Sequence, residues 1–392
     1  MNPDLRDRLL TMAAEDLRVR DHLAATGELY DGYHPDMAAV HDRNARELTA
    51  IMDAHGWPGP ELAGTDGAEA AWLITQHAIG APALQHRVLA EADLTPRQRA
   101  YTHDRVQFFE RRPQTYGTQL DWTDDGVMAP WTIADPENVH RLRAEIGLPP
   151  LVETLDAGPP PADLHTHRAH ARYWARGAGW NTPPIAETLD EHTTIAAAML
   201  LGCTVTANGV TIRLTEVEAY AGVGEDPGSH THRGPTPRTA PMFGPSGHTY
   251  VYFTYGVHWC LNITARPTGH ASGVLLRAGE VIDGIDTARA RRPRSTDRDL
   301  ARGPARLARA LDITGADTGT PALDGTGPVH LRDPATPPTA LANGPRTGIS
   351  GTAAATPWRF WIPGEPTVSP YRAHTPRNRS RATPRHRPES TA

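Results

Sequence analysis

Two carboxylates and a phenol alternate in Glu216-Val217-Glu218-Ala219-Tyr220. In an extended chain, side chains two apart share a face, so Glu216, Glu218 and Tyr220 stand on one side of a strand. Such a group suits general acid–base work. It is costly to bury without partners, and on its own it fits a solvated edge face better. A second cluster follows. Thr249-Tyr250-Val251-Tyr252-Phe253-Thr254-Tyr255-Gly256 gathers three of the ten tyrosines, runs into a turn, and leads to Cys260-Leu261-Asn262. Aromatic strands commonly fill cores. A tyrosine at a turn, here Tyr255, instead presents a ring to a partner, and inserted side chains of this kind unstack DNA bases.

The elements that must position these residues lie in the second half of the chain. A short helix, Thr193 to Leu201, precedes Asn208-Gly209, which joins two β-rich runs as a tight hairpin turn does. The run Val210 to Leu214 leads directly into Glu216. Further strands are expected at Thr249–Phe253, Leu261–Thr264, Val274–Leu276 and Phe360–Ile362, with a helix from Pro304 to Ile313. This half is α+β and mostly antiparallel. The first half reads as an all-α domain punctuated by Pro and capping residues. Asp36 precedes a run ending at Gly56, Asp66 caps a segment through Trp72 and His77, Thr95-Pro96 opens another helix, and Asp135-Pro136 opens one that stops at Gly147. The division is 1–155 helical domain, 156–184 Pro/Gly/Arg/His-rich linker, 185–371 second domain and 372–392 disordered basic tail.

The second domain resembles the alkyladenine (3-methyladenine) DNA glycosylase family. The likeness runs in order through Ala198 to Gly202, Glu216 to Tyr220, Gly228-Ser229-His230, Thr236-Pro237-Arg238, Met242 to Pro245, Tyr250 to Asn262, Gly273 to Ala278, Gly303 to Leu307, and Pro357 to Phe360. The resemblance implies roles. Glu218 matches the general base that activates water, and Arg277 the residue holding that carboxylate and water. Tyr220, His230 and Tyr252 match the walls around an extruded base. Asn262 matches a pocket-floor residue that discriminates against guanine, and Tyr255 the wedge that fills the gap in the duplex. The expected reaction is removal of alkylated or deaminated purines from double-stranded DNA, without metal or cofactor, leaving an abasic site. Base extrusion costs a few kcal/mol, less for damaged bases, and electron-rich rings favour a cationic purine. The spacing from Tyr220 to His230 is one residue longer than the family pattern, and Thr239 stands where Asn commonly follows Thr-Pro-Arg; both bear on substrate preference.

Composition narrows the alternatives. All 39 basic residues are arginine, so no lysine can form a Schiff base, and strand cleavage by that route is excluded. Residues 1–150 carry 14 Arg against 24 acids, while the last 21 residues carry 6 Arg against one Glu; a nucleic acid is drawn to the C-terminal part. Arg289, Arg291, Arg292, Arg294, Arg298 and Arg302 crowd ahead of the Pro304 helix, as either phosphate contacts or a solvated loop. Arg238, Arg292 and Arg306 are the backbone candidates. Two distant cysteines, Cys203 and Cys260, make neither a disulfide framework nor a zinc site. The absence of a long apolar run or signal segment points to a cytoplasmic, nucleoid-associated chain.

Other motifs carry less. Asp163-Leu164-His165-Thr166-His167 resembles a metal-dependent amidohydrolase strand end but lacks the barrel that must follow. Gly222-Val223-Gly224 completes no dinucleotide fingerprint. The first half resembles a family of uncharacterised bacterial domains through Gly56-Trp57-Pro58, Gln76-His77, Asp104-Arg105 and Gln114 to Gln119, in which His77 and Asp104 form a polar pair. Two competing readings remain: a protein that binds damaged DNA without cutting, and a two-function protein whose first domain binds a partner or small molecule.

Overall fold

Proline supplies the first turn of every one of the first five helices in the computed structural model, which describes residues 1–30, 32–254 and 256–375. They are α1 (Pro3–Thr26), α2 (Pro35–His55), α3 (Pro60–His77), α4 (Pro82–Glu91) and α5 (Pro96–Phe109). A first-turn N–H has no intrahelical acceptor, so proline loses nothing there. Thr95 and Gln98 close a reciprocal capping box on α5. Leu9, Leu48, Ile74 and Val88 meet in the core of this bundle. A two-stranded ribbon, β1 (Leu120–Trp122) and β2 (Met128–Pro130), and a short helix α6 (Val139–Glu145) follow. The helix expected from Asp135-Pro136 thus starts later, with Asn138 at its cap.

The segment expected as a linker contains α7 (Leu164–Gly177), capped by Asp163, which accepts from Thr166 N at 2.9 Å. Ala169 and Tyr173 of α7 enter the core of the second half, and Arg176 donates to Met199 O and Leu201 O at 2.6 and 2.9 Å. Composition rich in Arg, His and Gly hides an amphipathic face, and burial of that face makes the helix. His77 and Asp104 do not pair. His77 bonds Asp16 at 2.6 Å, while Asp104 accepts from the backbone N–H groups of Thr115, Tyr116 and Thr118.

After α8 (Ile185–Thr188) and the wholly buried α9 (Thr193–Leu200) comes an antiparallel sheet. Its strands are β3 (Thr204–Ala207), β4 (Val210–Tyr220), β5 (Thr249–Thr254), β6 (His258–Thr264), β7 (Gly273–Asp283), β8 (His330–Arg332), β9 (Ala342–Gly344) and β10 (Arg359–Trp361). The order is β5-β6-β7-β4-β10-β9, with β3 pairing β4 and β8. Asn208 and Gly209, at φ 49° and 76°, make the β3–β4 turn. Helices α10 (Ile285–Arg291) and α11 (Pro304–Leu311) complete the second half, and α9 and α11 contribute to the core on one side of the sheet. Among the described residues no helix is long and apolar enough to cross a membrane.

One irregularity decides which way the acids of β4 face. Val210, Ile212 and Leu214 belong to the apolar core, and so do Val217 and Ala219. A strict alternation would have sent Glu216 and Glu218 into that core with Leu214. The register shifts between Leu214 and Glu216, where Thr215 is an extra residue against β7, and shifts back before Val217. A bulge moves the phase by one residue. Glu216, Glu218 and Tyr220 therefore face away from the core.

Candidate active site

The face so created is buried. Glu216 and Glu218 are each 0% exposed, which excludes the solvated-edge alternative, because β4 is an interior strand covered by β7 and β10. Glu216 is held from four directions. Arg277 Nε and Arg359 Nε donate to its Oε1 at 2.8 and 2.6 Å, Ser369 Oγ donates to the same oxygen at 3.0 Å, and Ser369 N donates to Oε2 at 2.6 Å. Glu218 accepts from Thr347 N at Oε1, 2.7 Å, and from the Tyr220 hydroxyl at Oε2, 2.9 Å. Arg277 Nη1 lies 3.5 Å from Glu218 Oε1. Two carboxylates thus meet two guanidinium groups, and the charges balance locally, as buried ions require.

Glu218, Tyr220 and Arg277 line a cavity of about 330 Å³ together with His230, Tyr250, Tyr252, Cys260, Asn262, Thr347 and others. That volume lies at the lower end of the ~300–1,000 Å³ common for small-molecule sites and suits one flat heterocycle. His230 stands edge-on to Tyr252 with ring centres 4.7 Å apart, and its Nδ1 is 3.2 Å from the Tyr250 hydroxyl. Tyr250 and Tyr252, two apart on β5, stack obliquely at 5.6 Å. Asn262 also lines the cavity, its amide donating to Tyr250 O at 3.0 Å. Burial pushes the phenols of Tyr220 and Tyr252 well above the ordinary tyrosine range, with the Glu218 charge adding to the effect at Tyr220. Burial, and then the positive charge of Arg238, holds the His230 imidazole below its usual value. These walls are therefore neutral at pH 7, and Arg277, the one cation lining the cavity among the described residues, is answered by two carboxylates.

Of the residues read from the sequence, Glu218, Arg277, Tyr220, His230, Tyr252 and Asn262 come together around this cavity. Tyr255 lies outside the described residues. Arg238 is exposed beside the site, with its guanidinium 5.4 Å from the Tyr252 ring centre. Arg306 is exposed on α11, next to Pro304 of the cavity wall. Arg292 lines a surface groove together with Arg306 and Arg309. Its Nη1 donates to Asp299 O and Leu300 O at 2.6 and 2.5 Å, so it braces its own loop. Thr239, in the family's usual Asn position, is buried and exchanges hydrogen bonds with Thr236 at 2.9 Å.

Sequence reasoning gave no role to Tyr250, Asp226, Arg346, Thr347, Arg359 or Ser369. Tyr250 shares a period-two face with Tyr252 and was legible on that ground. Of the others, Arg359 opens β10, and Asp226, Arg346, Thr347 and Ser369 lie on loops. Arg346, fully buried, grips Asp226 with two nitrogens at 2.6 and 2.7 Å and donates to Ala219 O at 2.8 Å. It thereby ties the loop bearing Thr347 to the end of β4, and its guanidinium lies 4.7 Å from the Tyr220 ring centre.

The second half is thus a bulged antiparallel sheet that carries a buried carboxylate into an aromatic cavity. Residues 187–366 match the methylpurine-DNA glycosylase (MPG) family, and residues 3–157 match a family of unknown function, DUF6624. A Streptomyces avermitilis protein named "Putative 3-methyladenine DNA glycosylase" is 55% identical over 173 residues, 43% of this chain and 81% of its own length. Proteins of the same name from Frankia casuarinae and Nocardia farcinica are 50% and 51% identical over 198 and 197 residues, each 48% of this chain and 92% of their own. The chain belongs to the methylpurine-DNA glycosylase family, and its second half is a DNA glycosylase domain.

Proposed function

We propose that this domain rotates damaged purines out of duplex DNA and hydrolyses the N-glycosidic bond, with Glu218 as general base. The carrying observation is that Glu218, Tyr220, His230, Tyr252 and Arg277 line one cavity sized for a single base. Water bound beside Glu218 gives its proton to the carboxylate as its oxygen attacks C1′ of the sugar. The C1′–N bond breaks with its electron pair leaving on the base. The reaction passes through an oxocarbenium-like state, which the buried carboxylate stabilises while Arg277 holds the carboxylate in place. The neutral aromatic walls favour a positively charged alkylated purine over a normal base, by roughly 0.5–2 kcal/mol.

Asn262 screens the base at the cavity floor, fixed by its bond to Tyr250 O. Tyr255 is the proposed wedge. Its described neighbours Phe253 and Val257, 44% and 61% exposed, give the β5–β6 hairpin an apolar end fit to enter a duplex. Arg238 and Arg306 supply phosphate contacts, which set affinity rather than lesion choice.

The test is incubation of the purified chain with duplexes that each carry one damaged purine, followed by alkali. Strand breaks that appear only after alkali support hydrolysis to an abasic site. Breaks without alkali contradict the proposed product, and no breaks on any lesion contradict the activity.

A further inference from the structure

Three helices of the first half place a carboxylate and two imidazoles together, far from the cavity described above in sequence and in role. Asp16 comes from α1, His41 from α2 and His77 from α3. One ligand-type atom from each lies within 4.8 Å of the other two. Asp16 is 1% exposed and His41 9%. Their facing atoms, Asp16 Oδ2 and His41 Nε2, are 3.5 Å apart, are shut off from solvent, and have no hydrogen-bond partner among the described residues. Buried polar atoms are nearly always satisfied, and a carboxylate oxygen left without a donor is expensive.

The remaining bonds orient these groups as a ligand set is oriented. His41 Nδ1 lies 2.8 Å from the Tyr33 hydroxyl, and His77 Nδ1 lies 2.6 Å from the other oxygen of Asp16. When Nδ1–H donates to Tyr33, the lone pair of His41 sits on Nε2, the nitrogen that faces Asp16. Tetrahedral ligation at about 2.0–2.2 Å puts neighbouring donor atoms roughly 3.3–3.6 Å apart, and the Asp16–His41 gap of 3.5 Å is of that size. Bringing the third ligand into the sphere takes a shift of about one ångström.

We propose that Asp16, His41 and His77 form a binding site for one divalent transition-metal ion, of the zinc or cobalt class. Two imidazoles and a carboxylate are a nitrogen–oxygen set that leaves coordination positions open. His41 also lines a cavity of about 730 Å³ between the first helices and α7, with Tyr33, His34, Met37, His170 and Trp174 among its walls. The open position serves a small ligand in that cavity. The site is independent of the glycosylase reading, since it shares no residue with the Glu218 cavity.

The experiment uses the untagged full chain, stripped with a chelator, titrated with ZnCl₂ by calorimetry and with Co²⁺ by visible absorption. The expected result is one-to-one binding of each ion, with a cobalt spectrum of four or five nitrogen and oxygen ligands and no thiolate band. His41→Gln and His77→Gln each weaken binding more than a hundredfold, Tyr33→Phe weakens it about tenfold through the lost orienting bond, and His165→Gln leaves it unchanged. His77 is the most exposed of the three, so His77→Gln keeps the test informative if the Asp16→Asn protein fails to fold. Absence of one-to-one binding, or unchanged binding in both histidine variants, overturns the proposal.

Discussion

Arg277 stands between two carboxylates of one strand, with its Nε 2.8 Å from Glu216 Oε1 and its Nη1 3.5 Å from Glu218 Oε1. The two acids are two residues apart and face the same way, yet they are used differently. Glu216 is saturated by Arg277, Arg359 and Ser369, whereas Glu218 faces the cavity with one backbone and one phenol donor. Glu216 is thus a fixed counter-charge that aims Arg277, and Glu218 is the group that the proposed mechanism leaves to meet water.

Glu218→Gln keeps the shape and loses the base. Single-turnover excision falls by about 10²–10⁴-fold, the usual worth of general acid–base catalysis, while affinity for lesion duplex in a gel-shift assay stays within a few-fold. Full excision by this variant rules out the proposed role.

Glu216→Gln has a different signature. It leaves Arg277 and Arg359 buried, at 7% and 5% exposure, with one counter-charge between them. Breaking a buried ion pair from one side costs about 3–5 kcal/mol. Thermal unfolding should show a drop of roughly 10 °C, larger than that of Glu218→Gln.

Gly228→Ala tests the strut behind Tyr220. A Cβ at Gly228 would stand 2.8 Å from Arg346 Nη2 and 3.1 Å from Ile349. Arg346 cannot retreat, because Asp226 holds both of its terminal nitrogens. Overpacking of this kind costs about 1–3 kcal/mol. Unfolding in denaturant should register that loss together with slower excision, and an unchanged midpoint would mean that the loop yields freely.

His192 makes acid stability measurable. Burial, with His165 and Arg266 adding their charges, pushes its imidazole down to about 3. The unfolded chain takes up that proton near the ordinary value of about 6.5, so the unfolded state binds more protons between the two values. Stability is therefore intact above about pH 6.5 and declines below it, by up to about 1.4 kcal/mol per pH unit. His192 also caps α9, and asparagine preserves a cap. His192→Asn should flatten the fall in melting temperature between pH 6.5 and 5, and an identical slope removes His192 from the account.

Tyr255→Ala addresses the hairpin end. Loss of a wedge weakens binding to lesion duplex more than to undamaged duplex, since only the former needs the gap filled. Equal losses in a fluorescence-anisotropy titration count against it.

Local rules carried much of the fold into the sequence. Proline at helix starts, the Thr95 cap and the Asn208-Gly209 turn each act within a few residues, so α2, α5 and the β3–β4 hairpin were legible without tertiary information. The alternation around Glu218 and Tyr220, with the aromatic run of β5, likewise displayed the chemistry of the cavity. Helix α7 was hidden, because its composition resembles a linker and its stability comes from burying Tyr173 and Arg176 against a core elsewhere.

What the sequence determined by itself is the set of short-range devices and the types of reactive side chain, for these depend on neighbours in the chain. Only the tertiary structure decided that Thr215 bulges, so that Glu216 and Glu218 turn from the core and Glu218 reaches the cavity. It alone brought Arg359 and Thr347 to those acids from more than a hundred residues away, and joined Asp16, His41 and His77 from three helices. Register, long-range ion pairing and ligand clusters are properties of packing, and no local spacing encodes them.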